Sequence, residues 1–212
     1  MHLNIGIFIY RDAEVLDFSG PFEVFSTASR LSEANNPFSV FLIGESREVV
    51  SARAGYKVVP DYSIDDHPPL DVLIISGGVH AGEMEKEKVL AWIREQAGSA
   101  RLTATVCTGI FLLAKAVESL SCQVTTHWED ISDLKAMFSQ LEVLEGVRWV
   151  DEGNIVSSGG ISAGIDMSLH LISRLHSMSL AEDTARQMEF LWTRNLSATD
   201  HVIHRTPILD TE

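Results

Sequence analysis

Cysteine is scarce in this chain: 212 residues carry two, Cys107 and Cys122. The N-terminal stretch MHLNIGIFIYRDAEVLDF has no basic leader and no small-residue cleavage site, so it reads as a first buried strand and not as a secretion signal. A disulfide is therefore not expected, and a reducing cytoplasm fits, with both thiols free. Positive charge is also short. Sixteen Lys and Arg stand against thirty Asp and Glu, a formal net charge of −14. A surface this acidic repels phosphate backbones, so nucleic acid is not an expected partner. No stretch reaches the roughly 18 uncharged apolar residues of a membrane span, so no membrane partner is expected either. Repeats, low-complexity tracts and interdomain linkers are all absent. The expectation is one domain over residues 1–212, with a polar, weakly patterned tail from about residue 194, loose or docked on a partner.

What is present is a core. Hydrophobic residues make up 45% of the chain and alternate in strand-like and helix-like runs. LNIGIFIY, FSVFLIG, DVLIISGG, RLTATVC and NIVSSGG read as buried strands. EVVSARAGYKVVPD reads as a hairpin around a Gly turn. Helices are expected from Pro21 in DFSGPFEVFSTASRL, with Ser19 or Gly20 as cap, and in EKEKVLAWIREQA and TGIFLLAKAV. Further helices are expected in HWEDISDLKAMF, AGIDMSLHLISRLHSM and LAEDTARQMEFLW. Buried strands alternating with helices imply an α/β fold, a parallel sheet sandwiched by helices. In such sheets, sites form beyond the C-terminal strand ends. The turn Asp12–Asp17, the pair Gly77–Gly78, and Cys107 all fall there.

Cys107 sits at a strand-to-helix joint and is followed by Thr108 and Gly109, the layout of a nucleophile elbow with cysteine in place of serine. A helix N-terminus offers free N–H groups and partial positive charge, which favour thiolate over thiol. Cys107 is thus expected to be ionised near neutral pH and to outreact Cys122. The competing reading is a small buried hydrophobe. Gly77 and Gly78 end a strand and, with the Thr108 N–H, would make an oxyanion hole; the alternative is a plain tight turn. Asp17, an acid in an apolar setting, would face the cysteine with a raised pKa as proton donor, or else would be a helix-start surface charge. Glu14 is the second choice for that acid. His127 in TTHWED would partner the cysteine or make a structural hydrogen bond, the commoner role. His201 and His204 lack a third ligand, and no metal site is expected.

Five stretches, VLDFSGPFEVF, DVLIISGG, TATVCTGIFLLAKAV, TTHW and IVSSGGISAGIDMSLHLISR, resemble the ThiJ/PfpI superfamily and occur in its order between Ile5 and Phe190. The resemblance implies a flavodoxin-like, class I glutamine amidotransferase-like fold. It is strongest to the branch shared by isocyanide (isonitrile) hydratases and the ligand-sensing N-terminal halves of AraC-type regulators. It implies Cys107 as nucleophile, Asp17 as the acid facing it, Thr108 as its neighbour and Gly78 as a backbone donor opposite. Family proteases place histidine directly after the cysteine, where this chain has Thr108, which argues against peptidase activity. Deglycases and glyoxalases usually carry glutamate where Asp17 stands. The hydratases often end in a proline-rich segment, whereas this chain reads LWTRNLSATDH. The expected activity is that of a cofactor-independent hydro-lyase adding water to an isocyanide, on a homodimer. A small-molecule or redox sensor and a glyoxalase-like enzyme are the alternatives.

Overall fold

In the computed structural model, residues 2–32 and 36–193 are described. The first half of the chain runs β1 (Leu3–Phe8), α1 (Val15–Leu31), β2 (Phe38–Gly44), β3 (Val50–Ser51), β4 (Lys57–Val58), β5 (Tyr62–Ser63), β6 (Val72–Ile75) and α2 (Glu87–Ser99). It continues β7 (Leu102–Val106), α3 (Gly109–Ala116), β8 (Gln123–Val124), α4 (Ile131–Met137), β9 (Glu142–Val143), β10 (Trp149–Asp151), β11 (Ile155–Ser158), α5 (Ala163–Leu175) and α6 (Met178–Gln187). Seven of these strands form one sheet in the order β10-β11-β7-β6-β1-β2-β5. Its centre, β2-β1-β6-β7-β11, is parallel throughout, in flavodoxin-like order.

Both faces of that centre are covered, which is why β6 and β7 are buried at every position, β6 as an unbroken apolar run and β7 with two buried threonines, Thr103 and Thr105. Helices α1, α5 and α6 pack together, as do α2 and α3. α3 carries apolar side chains almost all round and is buried nearly throughout. No helix among the described residues is long and apolar enough to cross a membrane.

The structure corrects three sequence expectations. Helix α1 begins at Val15 with Glu14 at the N-cap, well before Pro21, which lies inside the helix. Proline removes only the N–H that would reach the Asp17 carbonyl. The buried stripe of Phe18, Val24, Phe25 and Ala28 carries the helix past that loss. This extension puts Asp17 on the first helical turn instead of in a loop. The HWEDISDLKAMF segment is not one helix but a 3₁₀ turn at Trp128–Asp130 followed by α4. The sheet is also not wholly parallel, because the three-residue strand β10 pairs antiparallel with β11. The expected hairpin is present as β3 and β4. The tail from residue 194, with His201 and His204, lies outside the described residues.

Candidate active site

Strands β1 and β6 are neighbours whose onward connections lead to opposite sides of the sheet, the switch point at which α/β folds open a crevice. Four strand ends meet there. β1 leads to Asp17, β6 to Gly77, β7 to Cys107 and β11 to Ile161.

Cys107 adopts φ of +55°, a left-handed conformation uncommon for a residue with a side chain. Its backbone is held on both sides. The N–H donates to the carbonyls of Ser158 (3.2 Å) and Gly159 (3.3 Å), and the carbonyl accepts from Thr126 Oγ1 at 2.8 Å. The turn sets the thiol against the carboxyl of Asp17, within hydrogen-bonding reach.

Asp17 is fully buried. Its Oδ2 accepts from the Gly77 N–H and its Oδ1 from the Ile161 N–H, each at 3.1 Å. Burial pushes its carboxyl up to about 7; Ile161, Gly77 and the thiol pull the other way, and the Glu14 charge pushes it further up. The sequence expectation for the cysteine is reversed. Burial first, and then the Asp17 charge, push the Cys107 thiol well above its ordinary range, although the Thr108 N–H favours the anion. One amide at the start of α3 does not offset desolvation beside a carboxylate. At near-neutral pH the cysteine rests as a thiol beside a carboxyl that is part protonated. Cys122, half-buried away from this cavity, is also pushed up, to about 11, by burial.

The two glycines are in place, but their N–H groups are already engaged. Gly77 donates to Asp17, and Gly78 donates to Thr108 Oγ1 at 2.9 Å, which returns a bond to the Gly78 carbonyl at 2.9 Å. That leaves the Thr108 N–H as the amide facing the sulfur. Gly77 is glycine for a steric reason. A Cβ there would lie 2.6 Å from Thr108 N and 2.7 Å from both Asp17 Oδ2 and Cys107 Cβ. The end of β6 threads between acid and cysteine and has no room for a side chain.

A cavity of about 370 Å³ opens over the pair, reaching Cys107, Thr108, Gly78, His127, Glu14 and Ile161. His127 caps the 3₁₀ turn, its Nδ1 accepting from the Glu129 N–H at 3.4 Å, and its ring borders the cavity. Its edge stands close across Gly160 from the sulfur, because a Cβ on Gly160 would meet His127 Cδ2 at 2.2 Å and Cys107 Sγ at 3.3 Å. Glu14 sits at the cavity edge and accepts from Arg53 Nε at 3.2 Å. Among the described residues no cluster of His, Cys, Asp and Glu is arranged to hold a metal.

Sequence reasoning missed Gly160, Ile161, Arg53 and Tyr10. The first two carried a readable signal, a second glycine pair at a strand end in IVSSGGIS, equivalent to the pair at Gly77–Gly78. Tyr10 is buried, and its phenol is pushed well up by burial first and then by the charge of Asp17.

Comparison with known proteins matches the chain to a family. The DJ-1/PfpI family model matches residues 4–174. An isonitrile hydratase from Pseudomonas putida is 32% identical, covering 90% of this chain and 79% of that protein. The HTH-type transcriptional regulator GbdR of Pseudomonas aeruginosa is 30% identical over 75% of this chain, and the match spans only 42% of the regulator. A THiJ/PfpI family protein from Pseudomonas syringae superimposes with a TM-score of 0.80 at 23% identity, over 94% of this chain and 80% of that one.

Proposed function

The chain belongs to the DJ-1/PfpI family, and from that premise we propose that it is an isocyanide hydratase, converting R–N≡C and water to the formamide R–NH–CHO. The observation that carries this reading is the Cys107 thiol facing a buried carboxyl whose pKa of about 7 suits it both to give and to take a proton near neutral pH. Similarity to an isonitrile hydratase over most of both chains points to the substrate class.

The chemistry closes on these two residues. Asp17 carboxylate takes the thiol proton as the sulfur bonds to the terminal isocyanide carbon. Asp17, now the acid, returns that proton to the same carbon, giving the thioimidate R–N=CH–S–Cys107. Carboxylate again, it draws a proton from water as the hydroxyl adds to the thioimidate carbon, and passes that proton to nitrogen. The tetrahedral adduct R–NH–CH(OH)–S–Cys107 collapses by breaking its C–S bond, and the hydroxyl proton returns to sulfur through Asp17. The high thiol pKa makes the general base necessary, since little free thiolate exists at neutral pH. The Thr108 N–H favours the sulfur anion while it forms. The decisive experiment mixes purified protein with an aliphatic and an aryl isocyanide and follows formamide formation. Absence of turnover with both overturns the reading.

A second reading is a sensor on the same pocket. The regulator match supports it, as does a cysteine whose resting form is the thiol. Tight, saturable isocyanide-independent ligand binding with no turnover would favour it.

A further inference from the structure

Glu14 and Asp17 are two carboxyls one helical turn apart at the start of α1; Glu14 lines the cavity, and Asp17 faces Cys107 from the buried side. Their settings differ. Asp17 points inward, is fully buried, and receives two amides. Glu14 stands at the cavity edge with its side chain 24% exposed, against Arg53. Arg53 comes from the connection between β3 and β4, a hairpin with no other part in the site. Three bonds join that hairpin to the catalytic corner. The Arg53 N–H donates to the Ala13 carbonyl at 2.9 Å, Ser51 accepts from the Asp12 N–H at 2.9 Å, and the Arg53 guanidinium donates to Glu14. Glu14 is in turn fixed by its own N–H on the Gly77 carbonyl at 2.9 Å, beside the amide that holds Asp17.

We propose that Arg53 is a positioning residue for the Asp17 proton: it holds Glu14 at the cavity edge and offsets part of its charge, so that Asp17 exchanges protons with the cysteine while Glu14 stays outside that exchange. The inference rests on the reading of Asp17 as proton shuttle. Two like charges this close compete, and the environment that separates them decides which is the acid. Without Arg53, an uncompensated Glu14 carboxylate faces the inner carboxyl, and Asp17 holds its proton to higher pH. Groups from every neighbouring element bear on Asp17: Glu14 from its own helix start, Tyr10 from beyond β1, Cys107 from beyond β7, and the amides of Gly77 and Ile161 from beyond β6 and β11. Asp130 acts on the cysteine from the 3₁₀ turn. Arg53 is the cation touching this set, since it alone pairs with Glu14 among the described ion pairs.

The test reads the pH midpoint of the Asp17 inflection in two ways, from kcat/KM for isocyanide hydration and from the rate at which iodoacetamide alkylates Cys107. The second needs no turnover, so it survives failure of the hydratase reading. R53Q should raise the midpoint by about half a pH unit, the size of a partly exposed ion pair. E14Q should lower it. R53K should restore most of the wild-type value. In an E14Q background, R53Q should move the midpoint by less than half as much as it does in wild type. A purely structural role for Arg53 would lower rates at all pH values and leave the midpoint in place. That outcome, or an equal shift in the E14Q background, overturns the proposal.

Discussion

The carboxyl of Asp17 and the amide of Ile161, 144 positions apart in the chain, are joined by a 3.1 Å hydrogen bond. With the Gly77 amide on the other oxygen, this bond fixes the acid from two strand ends at once. The carboxyl can then change protonation state without changing place, because a neutral carboxyl still offers lone pairs to both amides. Such fixed geometry is what a proton shuttle needs.

Burial of Asp17 makes folding depend on pH with a particular sign. Its ordinary pKa is 3.8 and its folded value about 7, so between those values the folded state binds the extra proton. Stability from this group is full below about pH 4, falls as pH rises, and is flat above about 7, a total of at most about 4 kcal/mol. Asp66 acts oppositely and lower down. Hydrogen bonds from Ser63 hold its carboxyl to about 2, so it costs stability only as pH falls below about 4. Urea unfolding from pH 4.5 to 8 should show the decline in wild type. Asp17→Asn should flatten it.

Two glycines allow opposite outcomes from the same substitution. At Gly77 an added methyl meets backbone, Thr108 N at 2.6 Å, which cannot yield. Gly77→Ala should cost about 1–3 kcal/mol and displace either the acid or the cysteine. At Gly160 the nearest atom belongs to the His127 side chain, which can rotate away. Gly160→Ala should keep nearly wild-type unfolding while reshaping the cavity wall, and turnover should fall at unchanged stability. Comparable destabilisation of both variants would show that the His127 ring is as fixed as the backbone.

The Cys107 joint, the Gly77–Gly78 strand end and Asp17 are readable in the sequence because each is a local signal: a lone polar or small residue where an apolar run stops. The charge state of the cysteine is not readable locally. A helix start argues for thiolate, but the burial and the facing carboxylate that overrule it come from α1 and β6, each far away in sequence. Arg53 is likewise invisible, since its role arises only when a hairpin folds onto the Asp12–Glu14 turn. The start of α1 was hidden by Pro21, whose usual place at a helix start outweighed the helical stripe around it. The three residues of β10 are too few to show strand periodicity.

The last prediction turns on the two opposed effects of Asp17 on Cys107. As a neighbouring charge, it adds to the burial that holds the thiol protonated. As a base and acid, it moves the proton that hydration needs. Asp17→Asn removes both effects. The thiol pKa should drop, so alkylation of Cys107 by iodoacetamide at pH 8 should become faster than in wild type, while Cys122 is unchanged. Hydration should fall by at least about a hundredfold, the usual worth of general acid–base catalysis, because a more ionised sulfur still has no donor for the isocyanide carbon. Cys107→Ala should abolish turnover and leave only the slow alkylation of Cys122. Asp17→Glu keeps the acid but moves it by one methylene into a site that has no spare room, and should recover only part of the loss. Alkylation followed by peptide mass spectrometry and steady-state hydration, at matched folded concentration, make the comparison. If both rates fall together in Asp17→Asn and the variant unfolds earlier, Asp17 is holding the site's shape, and Glu14 or His127 becomes the candidate acid; if both fall at unchanged stability, loss of the base that takes the thiol proton outweighs loss of the charge. If the sulfur grows more reactive while turnover collapses, the carboxyl is a proton carrier, since loss of structure cannot produce that pair of signs.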